Sequence, residues 1–121
     1  MRNRMRAMVS ALLIVEAVLM CGSLLAEEET VLRGFGARSC AQFAADYKKN
    51  PQMTMLLWGN WAQGFMAAMN VQLALERKAR KNIPAIDEVE ETMRRMCDER
   101  APSPFWTVVL DYFKSLRELP Q

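Results

Sequence analysis

Residues 52–79, QMTMLLWGNWAQGFMAAMNVQLALERKA, decide the fold. Leu56, Leu57, Trp58, Trp61, Ala62, Phe65, Met66, Met69, Val71, Leu73 and Leu75 spread around most of a helical circumference instead of following one stripe. That pattern predicts a long helix placed centrally in an all-helical domain. One narrow face differs. Asn60, Gln63, Ala67, Asn70 and Ala74 recur at i, i+3, i+7, i+10 and i+14 and set neutral donors and acceptors on a line. The line is either the helix's solvent face or a recognition groove in which Ala67 lets a partner approach. Gly59 and Gly64 each cost a helix roughly 1 kcal/mol relative to alanine, which points to a bend or a close helix approach. Trp58, Trp61 and Phe65 supply the buried area a small domain needs, and an aromatic ligand cleft is the other reading of them.

Downstream, Arg77, Lys78, Arg80 and Lys81 end the helix and Asn82-Ile83-Pro84 breaks it. Asp87, Glu88, Glu90 and Glu91 open the next one, with Asp87-x-x-Glu90 as a capping box. Cations at a helix end and anions at a helix start both suit the helix dipole. Ile86, Val89, Met93, Met96 and Cys97 form its apolar face. Ala101-Pro102 stops it, and Ser103-Pro104 supplies a cap and a first-turn proline for a last helix. There Phe105, Val108, Val109, Tyr112, Phe113 and Leu116 make the cleanest stripe in the chain. Trp106 falls off that stripe, at the expected edge of the bundle, where a tryptophan is a candidate binding hot spot.

Upstream, Ser39-x-x-Gln42 has the spacing of a capping box. Cys40, Phe43, Ala44 and Tyr47 follow at helical spacing, and Asn50-Pro51 ends the helix because proline disfavours helical geometry in the residue before it. Residues 27–38 lack periodicity, contain Gly34 and Gly36, and read as a flexible lead-in. Ahead of them, Arg2, Arg4 and Arg6 precede an apolar stretch from Ala7 to Leu25, and Ala26 meets Glu27-Glu28-Glu29. This is the pattern of a secretory signal cleaved near Ala26. Two other readings stay open: a lipoprotein acylated at Cys21, and an uncleaved membrane anchor, against which Glu16 argues. The expected organisation is a signal at 1–26, a lead-in at 27–38 and one helical domain at 39–119.

Export changes the chemistry of what is left. Taking Arg2, Arg4 and Arg6 from the 16 basic residues, and Glu16 from the 14 acidic ones, leaves 13 of each. A neutral product carries no electrostatic footprint for nucleic acid. Past the signal only Cys40 and Cys97 remain, and an even count in an exported chain reads as one disulfide. Both thiols fall on apolar helix faces. The chain has no histidine, which removes the commonest general base and metal ligand. Thioether copper sites usually add histidine, and the acids at 87–91 lack a calcium-loop pattern. No catalytic residue, metal or cofactor is expected, and the chain reads as a non-enzyme.

Ser39-Cys40-Ala41-Gln42-Phe43, then Trp61-Ala62-Gln63-Gly64-Phe65, then Met96-Cys97 with Ala101-Pro102 and Phe105 after it, resemble small exported helical proteins of the HdeA acid-stress chaperone type. The Trp-x-x-Gly-Phe stretch and the closing Val-Leu-Asp-Tyr-Phe-x-x-Leu segment are similar to Tai-type immunity proteins of type VI secretion. Those are periplasmic helical proteins that bind and neutralise a toxin. The resemblance spans residues 39–119. It implies an all-helical fold, two cysteines that bracket most of the domain, and a partner that is another protein.

The resulting expectation is a small four-helix bundle with one Cys40–Cys97 disulfide, periplasmic or secreted. It acts as a protein-binding module of the inhibitor or immunity kind through Trp106, Asn60, Gln63 and Asn70. The alternative is an acid-stress chaperone, since strong acid would discharge the 13 acids and leave the basic groups to repel one another. The expected partner is a toxin or an unfolded client, without nucleic acid. A membrane enters only if the signal is retained or Cys21 is lipidated. Oligomeric state stays open.

Overall fold

A capping box opens the first helix: the Gln42 amide donates to Ser39 Oγ at 3.2 Å, and the Ser39 amide donates to Gln42 Oε1 at 2.9 Å. The structure, a computed structural model, describes residues 32–120. The expected signal segment, with Cys21, lies outside the described residues. Among those residues the chain is helical and has no strands. Helix α1 spans Cys40–Lys49, α3 spans Ile86–Glu99 and α4 spans Phe105–Ser115. Helix α2 runs in three consecutive pieces: Pro51–Thr54, a π-helical turn at Met55–Gly59, and Asn60–Leu75. Asn50 separates α1 from α2 and also caps α2, accepting from the Met53 amide at 3.0 Å.

Two sets of ties fix the ends. The amides of Cys40 and Ala41, left free at the start of α1, donate to the Ser103 and Ala101 carbonyls at 2.9 and 2.8 Å. At the same joint Cys40 and Cys97 are bonded, and both are fully buried. At the other end the amides of Asn82 and Leu119 donate to the Arg117 and Arg80 carbonyls, which pairs the tail with the loop after α2.

The core has Trp58 at its centre. Its ring meets Phe105 edge-on at 5.0 Å and Phe43 at 5.5 Å. Met55, Ala62 and Met66 of α2, Val89, Met93 and Cys97 of α3, and Val108, Val109, Tyr112 and Phe113 of α4 complete it. The indole nitrogen of Trp58 donates to Asp46 Oδ2 at 3.2 Å, so the buried ring keeps its one polar atom satisfied.

Several local readings differ. Gly34–Ala37, inside the expected lead-in, form a short 3-10 helix that buries Gly36. Asp87 does not cap α3; Ala85 stands at the cap and Asp87 lies inside the first turn, where its charge meets the helix dipole. Ser103 does not cap α4, because its carbonyl is engaged with Cys40 and the helix starts one residue after Pro104. Ile86, expected on the buried face, is exposed.

The largest difference concerns α2. It stops at Leu75, four residues before the expected end at Ala79. A Schellman turn closes it: the Arg77 amide donates to the Ala74 carbonyl and the Lys78 amide to the Leu73 carbonyl. Arg77 takes the left-handed conformation there, at φ 56°. Nor is α2 central. Met55, Trp58, Ala62 and Met66 face the core, while Leu56, Leu57, Val71 and Leu75 on its other side face water.

Candidate partner-binding surface

From Pro51 to Leu75 the sequence contains no lysine, arginine, aspartate or glutamate. One side of that uncharged helix, with Met55, Trp58, Ala62 and Met66, is in the core. The other side is a stripe of Met53, Leu56, Leu57, Asn60, Gly64, Ala67, Ala68, Val71 and Leu75, all exposed. The five large apolar side chains among them keep between 42% and 76% of their surface in water. Their spacing follows one face of a helix about 37 Å long. By contrast, the outer face of α3 carries Asp87, Glu88, Glu91, Arg94, Arg95, Asp98 and Glu99, all exposed. The surface is therefore sorted, with charge on α3 and none on α2. Depletion of charge is one compositional mark of an interface centre.

The residues singled out in the sequence fall into different places. Asn60 is exposed in the middle of the stripe, its amide donating to the Leu56 carbonyl at 2.6 Å. Gln63 and Asn70 lie beside the stripe and hold the loop that follows α2. The Gln63 side chain donates to the Pro84 carbonyl at 3.1 Å. Asn70 donates to the Lys81 carbonyl at 2.8 Å and accepts from the Lys81 amide at 2.7 Å. These two amides thus replace missing backbone partners for an irregular segment. Trp106 is half-buried on another element, the first turn of α4, next to Phe105, whose own ring faces Trp58 and Trp61. The structure brings Asn60 together with the apolar stripe and leaves Trp106 on a different helix.

Leu56, Leu57, Val71 and Leu75 are the surface residues that reading the sequence for core assigned inward. Charge does not separate them from the core residues, because it is absent from both faces of the helix. A helix with one face in water ordinarily carries charge on that face.

Among the clefts of the described residues, two adjoin α1. One, of about 190 Å³, lies at the start of α2 and is lined by Asp46, Lys49, Asn50, Met53, Leu57 and Trp58. The other, of about 340 Å³, lies between α1 and α3 and includes Phe43, Tyr47, Lys48, Arg94 and Asp98. There the Arg94 guanidinium sits 4.6 Å from the centre of the Tyr47 ring, and the Tyr47 hydroxyl donates to Glu90. That hydrogen bond, more than burial, pushes the Tyr47 hydroxyl above its ordinary value. The one proton of the phenol is thus committed to Glu90.

Compared with protein-family models, curated proteins and solved structures, the chain finds no match.

Proposed function

We propose that this chain is an exported, non-enzymatic protein-binding module whose contact surface is the outer face of α2. The single observation that carries the reading is the exposed, charge-free stripe from Met53 to Leu75. The largest apolar patch on a protein surface is often a functional one. The neutral balance of the mature product and the absence of histidine fit a role in contact instead of catalysis. Export is supported by the basic-then-apolar N-terminal sequence and by the buried Cys40–Cys97 bond, which belongs to an oxidising compartment. An inhibitor or immunity role is one form of this module, and Asn60 supplies the stripe with its polar group.

The test is formaldehyde cross-linking of the full-length chain expressed and exported in cells. The wild type is expected to give a discrete protein adduct. A variant with Val71→Asp and Leu75→Asp, folded by circular dichroism, is expected to give at least tenfold less. Equal adduct from both, or none from the wild type, overturns the reading.

A further inference from the structure

The segment that leaves α2 carries Arg77, Lys78, Arg80 and Lys81, four cations within five positions. A protease takes its substrate in extended form, so the bond it cuts must be exposed and its backbone groups free. Most bonds here fail that condition. The Arg77–Lys78 bond has its amide tied to the Leu73 carbonyl at 2.8 Å. The Arg80–Lys81 bond has its carbonyl taken by the Leu119 amide at 2.7 Å, and its amide donates to Asn70 at 2.7 Å. The Lys81 carbonyl is held by Asn70 in turn. Between these anchors, the Lys78 carbonyl and the Ala79 amide have no hydrogen-bond partner among the described residues. The Lys78 side chain keeps 65% of its surface in water.

We propose that the Lys78–Ala79 bond is a cleavage site for a serine endoprotease with an anionic primary pocket, and that its product is a folded two-chain protein joined by Cys40–Cys97. The outer face of α2 takes no part in it. In the net reaction the C–N bond breaks, water supplies the second oxygen of a Lys78 carboxylate, and Ala79 leaves as a free amine. The pocket's charge selects the Lys78 side chain.

The rest of the fold directs such an enzyme to this bond. Lys48, Lys49, Arg94, Arg95 and Lys114 lie in helices, where the backbone is already paired. The carbonyls of Arg38, Arg100 and Arg117 accept from the amides of Phe105, Ser103 and Asn82. Arg33 stands ahead of α1 and of both cysteines, so a cut after it only shortens the N-terminal end. Engagement at Lys78 has little to undo. It opens the two hydrogen bonds of the Schellman turn and an exposed ion pair with Glu76. It also frees Arg77 from its left-handed φ of 56°.

The cut leaves the core whole. Met55, Trp58, Ala62 and Met66 stand before it, and α3 and α4 stand after it. Cys40 lies on one side and Cys97 on the other, so the two pieces stay covalently joined. The new N-terminal end is pinned across the cut as well. Gln63 and Asn70, from the first piece, hold Pro84 and Lys81 of the second.

The test is limited trypsin digestion of the native exported protein produced from the full-length chain, with products read by mass. Within residues 38–117 the first cut is expected after Lys78. The nicked protein should run as one species without reductant, keep its helical spectrum, and yield Ala79–Gln121 once denatured and reduced. Lys78→Gln should slow that first cut at least tenfold, and Lys78→Arg should keep it. A first cut at any other bond in that range overturns the proposal, as does an unchanged rate for Lys78→Gln. So does a native protein left uncut while the unfolded one is digested, or a nicked protein that loses its helices or separates without reductant.

Discussion

The indole of Trp61 lies against Gly36 so closely that a methyl group there would fall 2.0 Å from ring atom Cζ2. Gly36 is buried, while Trp61 is half-buried and stacks on Phe65 with ring centres 5.2 Å apart. A glycine in the residues before α1 is therefore a packing surface for the middle of α2. Gly36→Ala is expected to displace a rigid ring with little room to move. The cost of such overpacking is about 1–3 kcal/mol, read as a lowered midpoint in urea with an unchanged slope. An unchanged midpoint would detach this 3-10 segment from the fold.

Arg77 occupies the left-handed position of the Schellman turn that ends α2, a place where glycine is ordinarily found. Holding an L-residue there costs roughly 1–2 kcal/mol. Arg77 is exposed and beyond the last helical turn, so Arg77→Gly removes little else. The variant is expected to be more stable by about 0.5–1 kcal/mol, a rise of several degrees in melting temperature for a domain of this size. A drop in melting temperature would refute this account of the helix end.

The Cys40–Cys97 bond closes a 57-residue separation. By the chain-entropy argument its loss costs about 4 kcal/mol, a large part of the roughly 5–15 kcal/mol of a whole domain. Cys40→Ala with Cys97→Ala should show that difference in denaturant unfolding. Both sulfurs are buried, so reductant alone should act slowly on the native protein and quickly once it unfolds.

Two tyrosines predict an alkaline limit. Tyr47 is raised by the hydrogen bond to Glu90, and Tyr112 is raised chiefly by burial. Each keeps its proton longer folded than unfolded. Their contribution is fully present below about pH 10, the unfolded value, and is lost as pH climbs through the higher folded one. Melting temperature should fall between pH 9 and pH 11.5. Tyr112→Phe with Tyr47→Phe should flatten that fall, after allowance for any change at pH 8. An equally steep fall in the variant would place the alkaline sensitivity elsewhere.

Much of the local structure was legible because it is coded locally. Ser39 and Gln42, three residues apart, announce the start of α1, and Asn50-Pro51 announces its end. The four helices and the single cysteine pair also follow from spacing and count. The middle of the molecule was less legible. On α2 two apolar stripes share one helix, and periodicity cannot separate the stripe that meets Val89 and Phe105 from the one that meets water. Gln63 and Asn70 looked like recognition groups because the loop they hold, at Lys81–Pro84, is distant in sequence and irregular. Gly36 gave no signal for the same reason, since its partner Trp61 is 25 positions away.

The joint at Cys40, Cys97 and Ser103 makes α1, α2 and α3 a covalently closed ring with both ends of the described chain outside it. Tension applied between Leu32 and Pro120 would load only the segments outside the ring. Helix α2 would stay slack while the tail and α4 peel away. Severing the ring with a reductant under load should release about 200 Å of hidden chain in one step.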